Sequence, residues 1–194
     1  MNANMPSISA KTHISNHGPR LVVFVVYPNI VLLDLVGPLQ VMSHAMENGS
    51  GANGYRCEVA SVGGGMVETN TVVPIPSKPL SDFWDQKIHT LIIVGGEGAY
   101  LAMTDAALLS SITLMARRAI RVCSVCSGAL VLAATGLLDG RRAVTHWDDC
   151  NALQERFPNV RVEVDPIFVQ DGNVWTSAGI TAGMDMALAI VAED

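Results

Sequence analysis

The sequence predicts a doubly wound α/β fold, in which a mostly parallel sheet carries helices on both faces. The run at residues 21–27 is almost continuously β-branched or aromatic, as expected of a central parallel strand. Apolar runs of the same kind recur at residues 90–94 and 120–125. Segments with helical periodicity separate these runs, and such alternation with short links is typical of doubly wound sheets.

The composition fits one globular domain with a large core. The chain has 194 residues, of which 49% are hydrophobic and 15% charged. Its formal net charge of −6 argues against this segment binding nucleic acid by itself. Residues 1–20 are polar and lack the apolar centre of a signal peptide, so we expect a disordered leader, a domain at residues 21–194 and a cytoplasmic location. No apolar run approaches the ~20 residues of a membrane helix.

The first half of the domain predicts a strand, a helix and two further strands. After the strand at residues 21–27, Gly37 and Pro38 indicate a helix start, and Gly49 a helix end. Residues 55–62 predict the second strand. Residues 71–75 predict a short strand near a sheet edge, because prolines interrupt that run.

The second half continues the alternation. Thr104 is predicted to cap a helix, with Asp105 in its first turn. Asp171 and Gly172 form a hairpin signal between two short apolar runs. The remaining elements are predicted as strands at residues 143–145, 167–170 and 173–176, and as helices at residues 127–135, 147–157 and 180–192.

Cys126 lies where the strand at residues 120–125 meets the following helix. Ser124 stands two residues before it and Gly128 two residues after it. A nucleophile elbow needs this layout, because small residues at these positions let the backbones approach around a sharp turn. The positive end of the helix should also favour the thiolate, so we expect a lowered pKa for Cys126.

Two other interpretations of Cys126 stay open from sequence. Free cysteine is among the most buried residue types, so a packed core thiol is one of them. Cys123 and Cys126 also form a C-x-x-C motif, which could indicate a redox pair, although Cys123 falls inside the predicted strand. No second Cys/His pair has the spacing of zinc ligands, so no metal or other cofactor is predicted. Four cysteines without a framework spacing indicate a reducing compartment.

Five further residues are candidates for the same site. Asp34 lies in the loop after the first strand and is either a helix-start carboxylate or a proton-transfer partner of the thiol. Gly95 and Gly96 follow another strand and form either a plain turn or a pair of amides that bind an anion or oxyanion. Ser127 offers a hydroxyl beside the cysteine. His146 is either a structural histidine or a ligand-binding residue.

These motifs together resemble the ThiJ/PfpI branch of the class I glutamine amidotransferase-like superfamily. The resemblance rests on the elbow, on residues 33–38 and on residues 94–96, and it implies a flavodoxin-like fold. Residues 140–147 and 171–185 are similar to the N-terminal domain of AraC-family transcriptional regulators of the amidotransferase-like type. The same blocks also resemble isonitrile hydratases.

The resemblance implies roles for three side chains. Isonitrile hydratases use an elbow cysteine, an aspartate after the first strand and a hydroxyl residue after the cysteine, and Cys126, Asp34 and Ser127 match these positions. Serine stands where threonine is usual. Protease-like members carry a histidine directly after the cysteine, and Ser127 replaces it here, so peptidase or deglycase activity is not expected.

The resulting expectation is the ligand-sensing and dimerisation domain of an AraC-family regulator, without enzymatic activity. Its partners would be an unidentified small molecule, a second copy of the chain, and DNA only through a helix-turn-helix region beyond Asp194. The chain stops directly after its last apolar helix, as an excised sensor domain would. The alternatives are a cysteine-dependent hydratase or hydrolase, and a domain that only dimerises.

Overall fold

Eight strands form one mostly parallel sheet in the computed structural model, which describes residues 18–47 and 54–194. Within these ranges, a two-stranded sheet and six α-helices complete the fold. The strands are β1 (Arg20–Val25), β2 (Tyr55–Ser61), β3 (Gly65–Val67), β4 (Ile75–Pro79), β5 (Ile88–Ile93), β6 (Ala119–Val125), β7 (Arg142–Ala143), β8 (Arg161–Val162), β9 (Phe168–Asp171) and β10 (Val174–Ser177). The helices are α1 (Leu32–Glu47), α2 (Ala99–Ala102), α3 (Ala106–Ala116), α4 (Gly128–Ala134), α5 (Cys150–Arg156) and α6 (Thr181–Glu193).

The main sheet has the strand order β3-β4-β2-β1-β5-β6-β10-β9. Strands β2, β1, β5, β6 and β10 run parallel, and the antiparallel pairs β3–β4 and β9–β10 form its two edges. The predicted doubly wound fold is therefore confirmed. Strand order reverses between β1 and β5, and ligands of such sheets bind outside the carboxyl ends of the strands at this kind of switch point.

The central strands are buried because helices cover both of their faces. In β1 every residue from Leu21 to Val25 is buried, as the continuous apolar run predicts. The predicted hairpin is also confirmed, since β9 and β10 pair in antiparallel register. Gly172 in its turn has a φ of 64°, a backbone conformation that glycine adopts at little cost.

Helix α1 begins at Leu32, five residues before the predicted start at Gly37 and Pro38. A long-range contact explains the difference, because the Leu32 N–H donates to the side chain of Asn70 at 3.0 Å and is thereby capped. The prediction that Asp34 lies in a loop is consequently wrong, since its carboxylate is in the first turn of α1. The predicted stop at Gly49 and most of the predicted leader lie outside the described residues.

The edge strand predicted at residues 71–75 is largely wrong. Residues 71–74 form a loop, and the pairing segments are β3 and β4 on either side of it. The Thr69 hydroxyl donates to the Val73 carbonyl at 2.9 Å and accepts from the Thr71 N–H at 3.1 Å. Local bonds of this kind compete with a strand ladder.

The cap of α3 is Asp105 rather than Thr104. The Asp105 carboxylate accepts from the N–H groups of Ala107 and Leu108, at 2.9 and 3.1 Å. Thr104 instead donates its hydroxyl to the Leu101 carbonyl, so it closes the preceding turn and is not available as a cap.

Candidate functional site

Cys126 stands on a sharp turn between β6 and α4. Its φ of 56° is positive, which is uncommon for a residue with a side chain and frequent at functional turns. The close approach of Gly95 permits this turn, since a Cβ on Gly95 would lie 2.6 Å from the Cβ of Cys126. The predicted elbow is therefore present in the structure.

The backbone of Cys126 is fixed from two sides. Its N–H donates to the Ser177 carbonyl at the end of β10, at 3.0 Å. Its carbonyl accepts from the hydroxyl of Thr145, also at 3.0 Å. Both contacts are buried, so the elbow is held independently of any ligand.

The three loops predicted to converge do meet around Cys126. The Val31 N–H donates to the Gly95 carbonyl at 2.9 Å, which joins the start of α1 to the loop after β5. Ser127 joins that loop to the elbow, because its Oγ accepts from the Gly96 N–H at 2.7 Å and donates to the Gly96 carbonyl at 2.9 Å. The carboxyl ends of β1, β5 and β6 thus form one site.

The bonds of Ser127 correct one sequence-based expectation. Gly96 was expected to offer its amide to a ligand or oxyanion, but that N–H is occupied by the Ser127 hydroxyl. Gly95 packs against Cys126, and its carbonyl accepts from the Val31 N–H in the loop contact described above. In this arrangement Ser127 and the two glycines fix the shape of the site.

Asp34 is fully buried beside Cys126. Its Oδ1 accepts from the Ile180 N–H at 2.8 Å, whereas its Oδ2 is buried without a hydrogen-bond partner of ordinary geometry. Burial raises the pKa of Asp34, although the Ile180 N–H and the Cys126 thiol oppose this shift. Asp34 thus lies both at a helix start and beside the thiol, and its role as a proton-transfer partner of Cys126 stays a prediction.

The expected lowering of the Cys126 pKa is wrong. Only 5% of the residue is exposed, and burial, followed by the charge of Asp34, raises the pKa of the thiol. A hydrogen bond from the Ser127 N–H acts in the opposite direction but is weaker. Burial likewise raises the pKa of Cys123, and that of Cys57 to about 11. Burial thus outweighs the Ser127 N–H in setting the pKa of the Cys126 thiol.

A cavity of about 280 Å³ opens above the sulfur. His146 lies at its wall with 28% of the side chain exposed, and its Nδ1 accepts from the Asp148 N–H at 3.4 Å. His146 therefore has a structural contact and also faces the space in which a ligand would lie. The lining residues are Val31, Gly96, Glu97, Tyr100, Cys126, Ser127, His146, Asp148 and Asp149.

Sequence reasoning missed four residues of this site. Tyr100 donates to Asp149 at 2.6 Å across the cavity wall, and this bond is the main cause that raises the pKa of Tyr100 to about 12. Gly179 and Ile180 follow β10 and lie against Cys126 and Asp34. The loop after the strand predicted at residues 173–176 was the available signal, because ligands of doubly wound sheets bind at the carboxyl ends of the strands.

The described residues contain no group of three or more His, Cys, Asp or Glu side chains placed to hold a metal ion. Over the same residues, no helix has the length and apolar character needed to span a bilayer.

Comparisons with known proteins agree with this architecture. The model of the DJ-1/PfpI family matches residues 20–193. Isonitrile hydratase from Pseudomonas putida is 36% identical over 172 residues, which are 88% of this chain and 70% of that protein. The HTH-type transcriptional regulator CdhR from Pseudomonas aeruginosa is 32% identical over 174 residues, which are 88% of this chain and 49% of the regulator. A ThiJ/PfpI family protein from Pseudomonas syringae superposes with a TM-score of 0.79 at 30% identity, over 98% of this chain and 75% of that one.

Proposed function

This chain belongs to the DJ-1/PfpI family, and from that premise we propose that it is the ligand-sensing and dimerising domain of an AraC-type transcriptional regulator. The match to CdhR supports the proposal, because the aligned region makes up 88% of this chain but only 49% of the regulator. A sensor domain would correspond to such a part. DNA would be bound by a separate region.

The state of Cys126 is the observation that carries the proposal. Burial and Asp34 raise the pKa of its thiol, and the nearby Gly96 amide is already bonded to Ser127. A resting nucleophile would gain from a lowered pKa and from free amide donors, whereas here the pKa of the thiol is raised and the Gly96 amide is occupied. The cavity, in contrast, offers polar groups on fixed loops around an accessible space, as a ligand-binding pocket does.

Exposed apolar side chains support the dimerising part of the proposal. Leu33 and Val36 of α1 and Leu188 of α6 are 43%, 38% and 56% exposed, and the two helices pack side by side. Val72, in the loop whose Asn70 contacts the start of α1, is 98% exposed. A second copy of the chain would cover this surface. Light scattering at micromolar concentration tests this, and a monomer mass would contradict it.

The regulator proposal has a direct test in the gene. The coding sequence downstream of Asp194 should continue into a basic region with two helix-turn-helix units, and the complete protein should bind DNA in a gel-shift assay. Its affinity should change when the complete protein carries Cys126→Trp, which fills the cavity. A stop codon directly after Asp194 would remove the regulator hypothesis, and a variant with unchanged DNA binding would remove the role of the pocket.

The second candidate is a cysteine-dependent hydratase, and one observation favours it. Cys126, Asp34 and Ser127 occupy the positions expected of an isonitrile hydratase, and the Pseudomonas putida enzyme is 36% identical. In this function Cys126 would attack an electrophilic carbon while Asp34 accepts its proton. Incubation with isonitriles should then show turnover that is lost in Cys126→Ala and retained in the control Cys123→Ala. No turnover in the parent chain would leave the sensor proposal ahead.

A further inference from the structure

Helix α6 touches the Cys126 site at one end and the last residue of the chain at the other. It spans Thr181–Glu193, which corresponds to a rod of about 20 Å. Just before its first turn, a Cβ on Gly179 would lie 3.2 Å from the sulfur of Cys126 and 2.8 Å from the ring of His146. A group added to the sulfur on the side of Gly179 would therefore meet the backbone that starts this helix.

The start of α6 is held in a strained conformation. Ile180 has a φ of 53° and a ψ of −100°, which is an outlier for a β-branched residue. Its N–H donates to Asp34 at 2.8 Å, and Asp34 in turn contacts the Cys126 thiol. Strained backbone of this kind persists only where surrounding contacts hold it. A change at Cys126 or Asp34 thus acts on the contact that keeps Ile180 in place.

The far end of α6 is fixed by a partly buried ion-pair cluster around Asp194, which we call the C-terminal clamp. The Asp194 carboxylate accepts from the Tyr55 hydroxyl at 2.6 Å and from Arg121 at 2.9 Å, and His89 lies 3.7 Å away. Arg20 donates to the Asp194 main-chain oxygen at 2.8 Å. The four partners belong to β1, β2, β5 and β6, so the clamp ties the end of α6 to the centre of the sheet.

Between the two ends, α6 has little freedom to deform locally. A Cβ on Gly183 would lie 2.8 Å from Val125 and 3.3 Å from Pro38, so the helix lies close to both β6 and α1. Meanwhile Met186 and Ile190 are fully buried. A displacement at Ile180 would therefore move α6 as one rigid helix. The hydrogen bonds of the C-terminal clamp would either oppose this movement or break.

We propose that α6 is a rigid relay that couples the Cys126 site to the C-terminal clamp, so that ligand binding or modification at Cys126 weakens the hold on Asp194. The biological role of this coupling rests on the proposed function, because in a regulator a change in the ligand pocket has to be transmitted to the region that follows the domain. The mechanical link itself is a property of this chain and can be measured without DNA.

The coupling can be tested from the clamp, because an equilibrium coupling between two sites acts in both directions, so loosening the clamp should also favour opening of the backbone at Ile180. Tyr55→Phe removes one hydrogen bond to Asp194 and preserves the shape of the ring. Alkylation of Cys126 by iodoacetamide, followed by peptide mapping, should then accelerate by about fivefold, because loss of one hydrogen bond at the clamp raises the population of the open state, in which the sulfur is accessible, by about that factor. Amide hydrogen exchange at residues 178–182 should rise in parallel.

The matched control is Asp105→Ala, which removes the cap of α3 and belongs to neither end of α6. Equal acceleration in this control would show general destabilisation and overturn the relay, as would unchanged alkylation in Tyr55→Phe. In the reverse direction, alkylated Cys126 should raise exchange at residues 190–194, and no rise would also overturn it. If the relay is found but the complete protein binds DNA independently of its pocket, the sensor proposal fails and the relay stands.

Discussion

Replacing Ser127 by alanine should destabilise the protein strongly, although it deletes only one oxygen atom. The Ser127 hydroxyl accepts from the Gly96 N–H at 2.7 Å and donates to the Gly96 carbonyl at 2.9 Å. Both residues are buried. In Ser127→Ala the Gly96 carbonyl keeps a bond from the Ala99 N–H at 3.0 Å, whereas no other acceptor for the Gly96 N–H is found among the described residues.

The magnitude follows from these two losses. A buried N–H without a partner costs about 1–3 kcal/mol, and the lost bond to the carbonyl contributes about 1 kcal/mol more. We therefore expect the free energy of unfolding to fall by about 2–4 kcal/mol. With a denaturant slope of about 2 kcal/mol per molar urea, a loss of 3 kcal/mol lowers the urea midpoint by about 1.5 M.

The matched control is Ser124→Ala, three residues away. The Ser124 hydroxyl is equally buried, but it has no hydrogen-bond partner among the described residues. Removing an unpartnered buried hydroxyl should leave stability unchanged or raise it by about 1 kcal/mol. Urea unfolding followed by circular dichroism measures both variants. A similar loss in the two, or a loss below about 0.5 kcal/mol in Ser127→Ala, would refute the assignment of these bonds.

Three further predictions concern charge and space at the two ends of α6. Asp34→Asn removes a charge that raises the pKa of Cys126, so the pH midpoint of Cys126 alkylation should move down, and an unchanged midpoint would contradict this coupling. Burial raises the pKa of Asp194, but its arginine and tyrosine partners outweigh this effect and hold the pKa below the ordinary 3.8. Asp194→Asn should therefore destabilise the protein at pH 7, and the difference in stability from the parent should shrink as the pH falls below 3.8. Urea midpoints at pH 7 and pH 3 measure this difference. Gly179→Ala places a methyl group against the sulfur and should slow Cys126 alkylation, whereas the control Gly63→Ala, with open space around it, should not.

The parts of the fold that sequence predicts are those fixed by local pattern. The buried runs that became β1, β5 and β6 are visible because parallel strands covered on both faces are continuously apolar. The start of α1 was missed because its first N–H is capped by Asn70, which lies 38 positions further along the chain. The edge pairing of β3 and β4 was missed for a different reason, since local hydrogen bonds of the Thr69 side chain hold the residues between the two strands in a loop.

The same difference between local patterns and long-range contacts applies to the candidate site. Cys126 was found because the elbow is a local pattern of a strand, a turn and small residues. Asp34 was found as a candidate, but the bond that orients it comes from Ile180, at a separation of 146 residues. Tyr100 and Gly179 carry no motif of their own, and only the folded chain brings them to the cavity. The roles of Gly95, Gly96 and Ser127 depend on bonds that composition and spacing do not encode.

The balance of forces on the Cys126 proton bears on both proposed functions. Burial and the charge of Asp34 raise the pKa of Cys126 against the opposing effect of the Ser127 N–H, and burial also raises the pKa of Asp34. A hydratase would have to form its nucleophile after substrate enters, with the unpartnered Oδ2 of Asp34 as the acceptor for the thiol proton. Catalysis therefore requires that a substrate accelerate the loss of that proton. A sensor has no such requirement, because a ligand can bind in the cavity beside a protonated thiol, and the proposed relay begins at the Ile180 backbone rather than with a chemical step at the sulfur.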